Sequence, residues 1–235
     1  MDKHQQLKQY VTNNAGKIGK LIFFEPKRHK LLLFDFTANN AELTPELLGS
    51  TEQLSFWVFD KMKVDNCRYG IGGYLEDRVL YNGTKLFNTD GDIRSLHLGV
   101  DIWGDAETTV YNPIAGKVHS YQDNSGEGNY GPTIILEHDL DGLKLYSLYG
   151  HLSHESLMGL HIGMPMAKGE PVGHFGDCEE NGNWPPHLHF QLMFDMEGNV
   201  GDYPGACRLS EKESYQQNIA DPNVILQFPE DNIVR

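Results

Sequence analysis

The chain has 235 residues, and its 19 Lys and Arg against 33 Asp and Glu give a formal net charge of −14. That balance argues against a protein that binds nucleic acid by neutralising phosphates, or a membrane surface through a polybasic face, because both need clustered cations. A composition that is 39% hydrophobic and 22% charged also argues against wholesale disorder. Taken in order, residues 5–13 suit a short helix and Leu31 to Phe36 a short strand. Thr44-Pro45-Glu46 reads as a helix start, with Thr as N-cap and Pro at the first helical position. Apolar positions from Leu47 to Met62 then fit one or two short amphipathic helices. These define a small mixed α/β N-terminal accessory region, residues 1–66. From there to residue 235 the chain reads as one mainly β domain, an antiparallel sheet with little helix. Its expected strands are Thr109–Ile114, Lys117–Tyr121, Thr133–Glu137, Leu143–Tyr149, Pro171–Phe175 and Leu188–Phe194. Turns are expected at Ala115-Gly116, Asp141-Gly142 and Lys168-Gly169, and the tail from Asp221-Pro222 as a surface-packed ending.

Three cysteines, Cys67, Cys178 and Cys207, are odd in number and far apart, so no disulfide framework is expected. The first residues lack the apolar core of a secretory leader, and no run approaches 18 apolar residues. The expectation is a cytoplasmic protein that does not enter a membrane, or a periplasmic or extracellular one if a leader has been removed.

Eleven histidines are many for this length. His187-Leu188-His189 lies in an expected strand, where residues two apart share a face, so both imidazoles project into one space and Leu188 points into the core. His97 and Asp101 bracket Gly99, which lets the backbone bend between them, and His151 ends a strand. A catalytic zinc site takes three protein ligands and leaves a position open. His97, Asp101 and one member of the His187/His189 pair would meet that count, leaving the other member and His151 for proton transfer. His119, His138, His154, His161 and His174 are read as structural. Gly126 to Gly131 spells a dinucleotide-binding fingerprint, but Pro132 and a strand follow it instead of a helix. Asn82-Gly83-Thr84 spells a glycosylation triplet, which says nothing in a chain without a leader.

The phrases His97-Leu98-Gly99-Val100-Asp101, Tyr149-Gly150-His151-Leu152 and His187-Leu188-His189-Phe190 occur in the order and at the distances found in one group of enzymes. In them the chain resembles the lysostaphin-type zinc metallopeptidases, the M23 or LytM-like peptidoglycan endopeptidases. The resemblance spans roughly residues 70–195. It implies one Zn²⁺ per chain held by His97, Asp101 and His189, with His151 and His187 as the catalytic imidazoles beside a zinc-bound water. It also implies a β-sheet groove as fold, hydrolysis of a peptide amide as activity, and peptidoglycan cross-bridge or stem peptides as substrate. Two features depart from the family pattern. The loop before His187 reads Asn181-Gly182-Asn183-Trp184-Pro185-Pro186, bulkier and stiffer than the usual Gly/Ser/Thr-rich one, and Gln191 stands where Glu is common. The altered loop and the missing leader motivate an alternative, a non-catalytic or regulatory M23-like binding module in the cytoplasm. A phosphocarrier of the sugar-transport type would also use two close histidines, but it leaves Asp101 and the His187/His189 pair unexplained.

Overall fold

Most of the strands assemble into one mixed, predominantly antiparallel sheet in a computed structural model that describes residues 1–81, 86–89 and 92–235, while Thr109–Tyr111 and Pro171–His174 pair with each other in a separate two-stranded sheet, as do Leu96–His97 with Ala206–Cys207 and Asn88–Thr89 with Asp92–Ile93. The Asn82-Gly83-Thr84 triplet lies outside the described residues. From one edge the strand order is Pro165–Met166, Gly116–Asn124, Gly131–Leu140, Leu143–Gly150, His187–Met193, Val100–Trp103, Tyr69–Gly72, Leu31–Leu33 and Ile233–Val234. Ile219–Ala220 pairs with the end of the His187–Met193 strand. All neighbours are antiparallel except at Leu31–Leu33, which pairs parallel on both sides. Each expected strand of the β domain is present, shifted by a few residues at its ends. Asp141 and Gly142 both have positive φ, 55° and 95°, the conformation of a tight hairpin turn whose twist matches its strands.

The helical expectations for the first 66 residues are met by Lys3–Asn13, Pro45–Leu48 and Thr51–Val64. The Thr44 side chain accepts the Leu47 N–H as an N-cap, and Ser50 does the same for the third helix through Gln53. Leu54, Val58 and Met62 fall four apart on that helix and bury one stripe. The tail does more than pack on the surface. Ile225 is buried, and Ile233–Val234 adds a strand beside Leu31–Leu33. Short-range pattern could not show this, because two residues carry too little periodicity and their partner lies at the far end of the chain.

The two faces of the sheet have separate fates. Leu188, Phe190 and Leu192 of one strand and Val100 and Ile102 of its neighbour are buried in one apolar cluster that also takes in Leu7 and Val11 of the first helix. The opposite face carries His187, His189, Asp101 and Trp103. Over it lies a second apolar cluster that joins Phe34, Phe36, Leu54, Val58 and Tyr81 to Trp103. The N-terminal region therefore roofs the sheet face on which the polar residues project. Among the described residues no helix is long and apolar enough to cross a membrane, and Cys67, Cys178 and Cys207 are all free thiols.

Candidate metal centre

Register builds the site. Across the antiparallel pair, His187 lies opposite Trp103 and His189 opposite Asp101, so strand alternation puts all four on one face. The His187 ring stacks on Trp103, 5.5 Å between centroids and 15° between planes. His97 enters from the short strand Leu96–His97 just before. His151 follows the neighbouring strand with φ +62°, in the left-handed region that non-glycine residues rarely adopt. Its N–H donates to Tyr130 O, its carbonyl accepts the Gly176 N–H, and its ring comes to 4.1 Å from that of His187. These contacts hold the strained backbone in place. Gly99 serves by close approach: a Cβ there would lie 2.7 Å from His189 Nε2 and 2.7 Å from Phe190 O.

The five residues expected to form the site come together here, and every one is buried. His97, Asp101 and His189 each offer a ligand atom, all within 4.8 Å of one another. His97 Nε2 is 2.9 Å from His189 Nδ1, and Asp101 Oδ1 is 3.2 Å and 3.1 Å from those same atoms. The outward nitrogens decide the tautomers. His97 Nδ1–H donates to Gly73 O at 3.0 Å, and His189 Nε2–H donates to Gln191 Oε1 at 2.9 Å. Gln191 is itself oriented by its amide donating to Pro204 O. A neutral imidazole has one N–H. With that proton outside, two nitrogen lone pairs and a carboxylate oxygen converge with no donor between them. Such a set fits a divalent cation of the Zn²⁺ type, and the outward acceptors are the partners that metal-binding imidazoles normally have.

His151 and His187 are arranged in the same manner. Their Nδ1–H groups donate to Asn181 O at 2.8 Å and Pro185 O at 2.7 Å, which leaves both Nε2 atoms as acceptors. Burial pushes His97 and His187 down to about 4, and Arg78 adds to the effect at both. Burial and the nearby His187 and His189 rings hold His151 well below the usual imidazole range. Burial opposes ionisation of Asp101, but the Arg78 guanidinium against it favours the carboxylate, and the carboxyl sits well below its usual range.

The other histidines lie elsewhere. His138 is buried between Ala115 O and Ser147 Oγ, and His154 sits at the surface with Asp123 and Glu180. Reasoning from sequence did not reach Arg78, Glu76 or Trp103. Nor did it give Gln191 its task, although a residue two past His189 in a strand must share its face.

Residues 95–200 match the sequence profile of Peptidase family M23. That segment, a little under half of the chain, is therefore similar to peptidase family M23. Among solved structures, a Pseudomonas aeruginosa protein assigned to peptidase M23 is 21% identical, over 55% of this chain and 43% of that one, with TM-score 0.37. The catalytic domain of lysostaphin from Staphylococcus simulans is 24% identical, over 59% and 83%, with TM-score 0.39. A zinc-containing peptidase from Vibrio cholerae is 23% identical, over 44% and 28%, with TM-score 0.35. The chain thus spans less than half of the Pseudomonas and Vibrio proteins. No curated protein matches it in sequence. His97, Asp101, His151, His187 and His189 all fall inside the M23 segment, whereas Glu76 and Arg78 precede it.

Proposed function

We propose that this M23 chain is a zinc-dependent peptidase that hydrolyses a peptide amide, with His97, Asp101 and His189 as metal ligands and His151 and His187 as the catalytic imidazoles. The observation that carries the reading is the convergence of three lone-pair donors, none of which has a proton to give the others. When bound, Zn²⁺ supplies a Lewis acid that polarises an amide carbonyl and lets water ionise near neutral pH. The chain's own residues supply proton handling. His187 and His151 are neutral and their Nε2 atoms unprotonated, so one can take a proton from the attacking water and pass it to the leaving amine nitrogen. The backbone carbonyls of Pro185 and Asn181 hold the Nδ1–H of both rings, so the proton is taken up and released at Nε2. By family, the amide belongs to a stem or cross-bridge peptide of peptidoglycan.

A second reading is favoured by the burial of the site. The cavity beside these imidazoles is about 240 Å³, and its walls include Leu54, Val58, Trp184 and Pro185. A module that binds a small ligand there without cleaving it would have the same walls.

The test separates the two. Soluble muropeptides and intact sacculi are incubated with zinc-loaded protein, and products are followed by mass spectrometry. Peptidase chemistry predicts one Zn²⁺ per chain, cleavage abolished by chelation, and a His187→Ala variant that keeps its zinc and loses at least about 100-fold in rate. Full activity in that variant overturns the assigned roles, and binding without cleavage by the wild type supports the second reading.

A further inference from the structure

Arg78 is unused by the reading above, yet it is 1% exposed and is the largest fully buried side chain described. Its Nη1 donates to Asp101 Oδ2 at 2.5 Å and to the Tyr81 hydroxyl at 3.1 Å, and its Nε donates to Glu76 Oε2 at 2.8 Å. Glu76 is held in turn, its Oε1 accepting the Phe36 N–H. The guanidinium lies 5.4 Å from the Phe36 ring and 5.9 Å from those of Tyr81 and Trp103. Gly72, which pairs with Asp101 in the sheet, leaves the space it needs: a Cβ there would lie 2.5 Å from Nη2. Segments on both sides of the third helix therefore build one seat for this cation.

The seat divides the carboxylate of Asp101. Oδ2 is committed to Arg78, while Oδ1 faces His97 Nε2 and His189 Nδ1. A free carboxylate can give a cation one oxygen or both. Given both, it would fill the position that a three-ligand catalytic site leaves for water or substrate. Resting on the metal reading above, we infer that Arg78 is a positioning residue: it makes Asp101 a one-oxygen ligand and, by its like charge, loosens the hold of the site on the metal. The M23 segment thus depends on a residue contributed from outside it.

The test uses Co²⁺ as probe, titrated into the metal-free full chain and followed by calorimetry and visible absorption. Variants are Arg78→Met, Arg78→Met with Glu76→Gln so that no unpaired carboxylate is buried at Glu76, and Arg78→Lys. Thermal melts confirm that each is folded. Both Arg78→Met forms are expected to bind Co²⁺ about tenfold or more tightly, since a like charge near the cation is gone. Their absorption bands should weaken as the second oxygen joins. Arg78→Lys, which keeps the charge, should return affinity toward wild type. Wild-type affinity and spectrum in the folded Met variants, or looser binding, overturn the inference and leave Arg78 a structural counter-ion. If the wild type takes up no Co²⁺, or Asp101→Ala takes up as much, the metal reading falls and this inference with it.

Discussion

Replacing Gly99 by Ala tests how tightly the site is built. The added Cβ would lie 2.7 Å from His189 Cε1, 2.7 Å from Nε2 and 2.7 Å from Phe190 O. The ring could yield by rotating, but the carbonyl is fixed within the sheet, so one clash cannot be relieved without moving backbone. Overpacking of this kind costs about 1–3 kcal/mol, and relief of the glycine's unfolded-state entropy returns at most about 1 kcal/mol. A net loss of about 2 kcal/mol lowers the melting midpoint of a chain this long by roughly 4–8 °C. The ring's displacement has a second effect, because His189 Nδ1 must meet His97 Nε2 and Asp101 Oδ1 within about 0.5 Å of its place. Metal affinity should fall roughly 10–100-fold, the range seen when the support of a ligand is lost. Circular dichroism melts in chelator and a metal titration read the two effects separately. A Gly99→Ala variant that melts with the wild type and binds metal equally would refute the close-approach argument.

Two further outcomes follow from the same geometry. Gln191→Leu removes the acceptor for His189 Nε2–H and should weaken metal binding roughly 10–100-fold in the same titration, whereas Gln191→Glu keeps an acceptor and should restore it. His138 tests burial far from the site. Burial pushes its imidazole down to about 4, below the ordinary 6.5, so the unfolded chain takes up the proton first. Its contribution is therefore complete above pH 6.5 and is lost as pH falls toward 4, about 3 kcal/mol in all. Urea unfolding between pH 4 and 7 should show a steeper acid decline in the wild type than in His138→Asn; parallel profiles would contradict the assignment.

What was legible in the sequence is what local chemistry determines. Alternation alone puts His187 and His189 on one face with Leu188 behind, and the sheet bears this out through the pairing of Leu188 with Ile102. Thr44 and Ser50 cap helices because a side-chain oxygen can satisfy an early N–H wherever the chain allows a helix to begin. Long-range contacts were not legible. Arg78 looks like any charged residue in a loop until Gly72 and Asp101 are seen to pair beside it. Gly99 was read as a hinge, but its need for a missing side chain arises from His189, ninety residues away in the chain and adjacent in space. The roof over the site was hidden for the same reason, since a Leu54 and Val58 stripe does not announce what it covers.

The Leu31–Leu33 strand, parallel to both neighbours, has a consequence for how the molecule is made. Its inner partner, Tyr69–Gly72, is synthesised soon after it, but its outer partner at Ile233 and Val234 emerges roughly 200 residues later. Until then one row of its backbone N–H and C=O groups lies open on three consecutive leucines, which is the kind of edge that recruits other chains. Chains that lack Ile233 and Val234 should therefore self-associate more than chains that have them. For this fold the yield of native protein depends on a two-residue strand that covers this edge only after the rest of the sheet has been made.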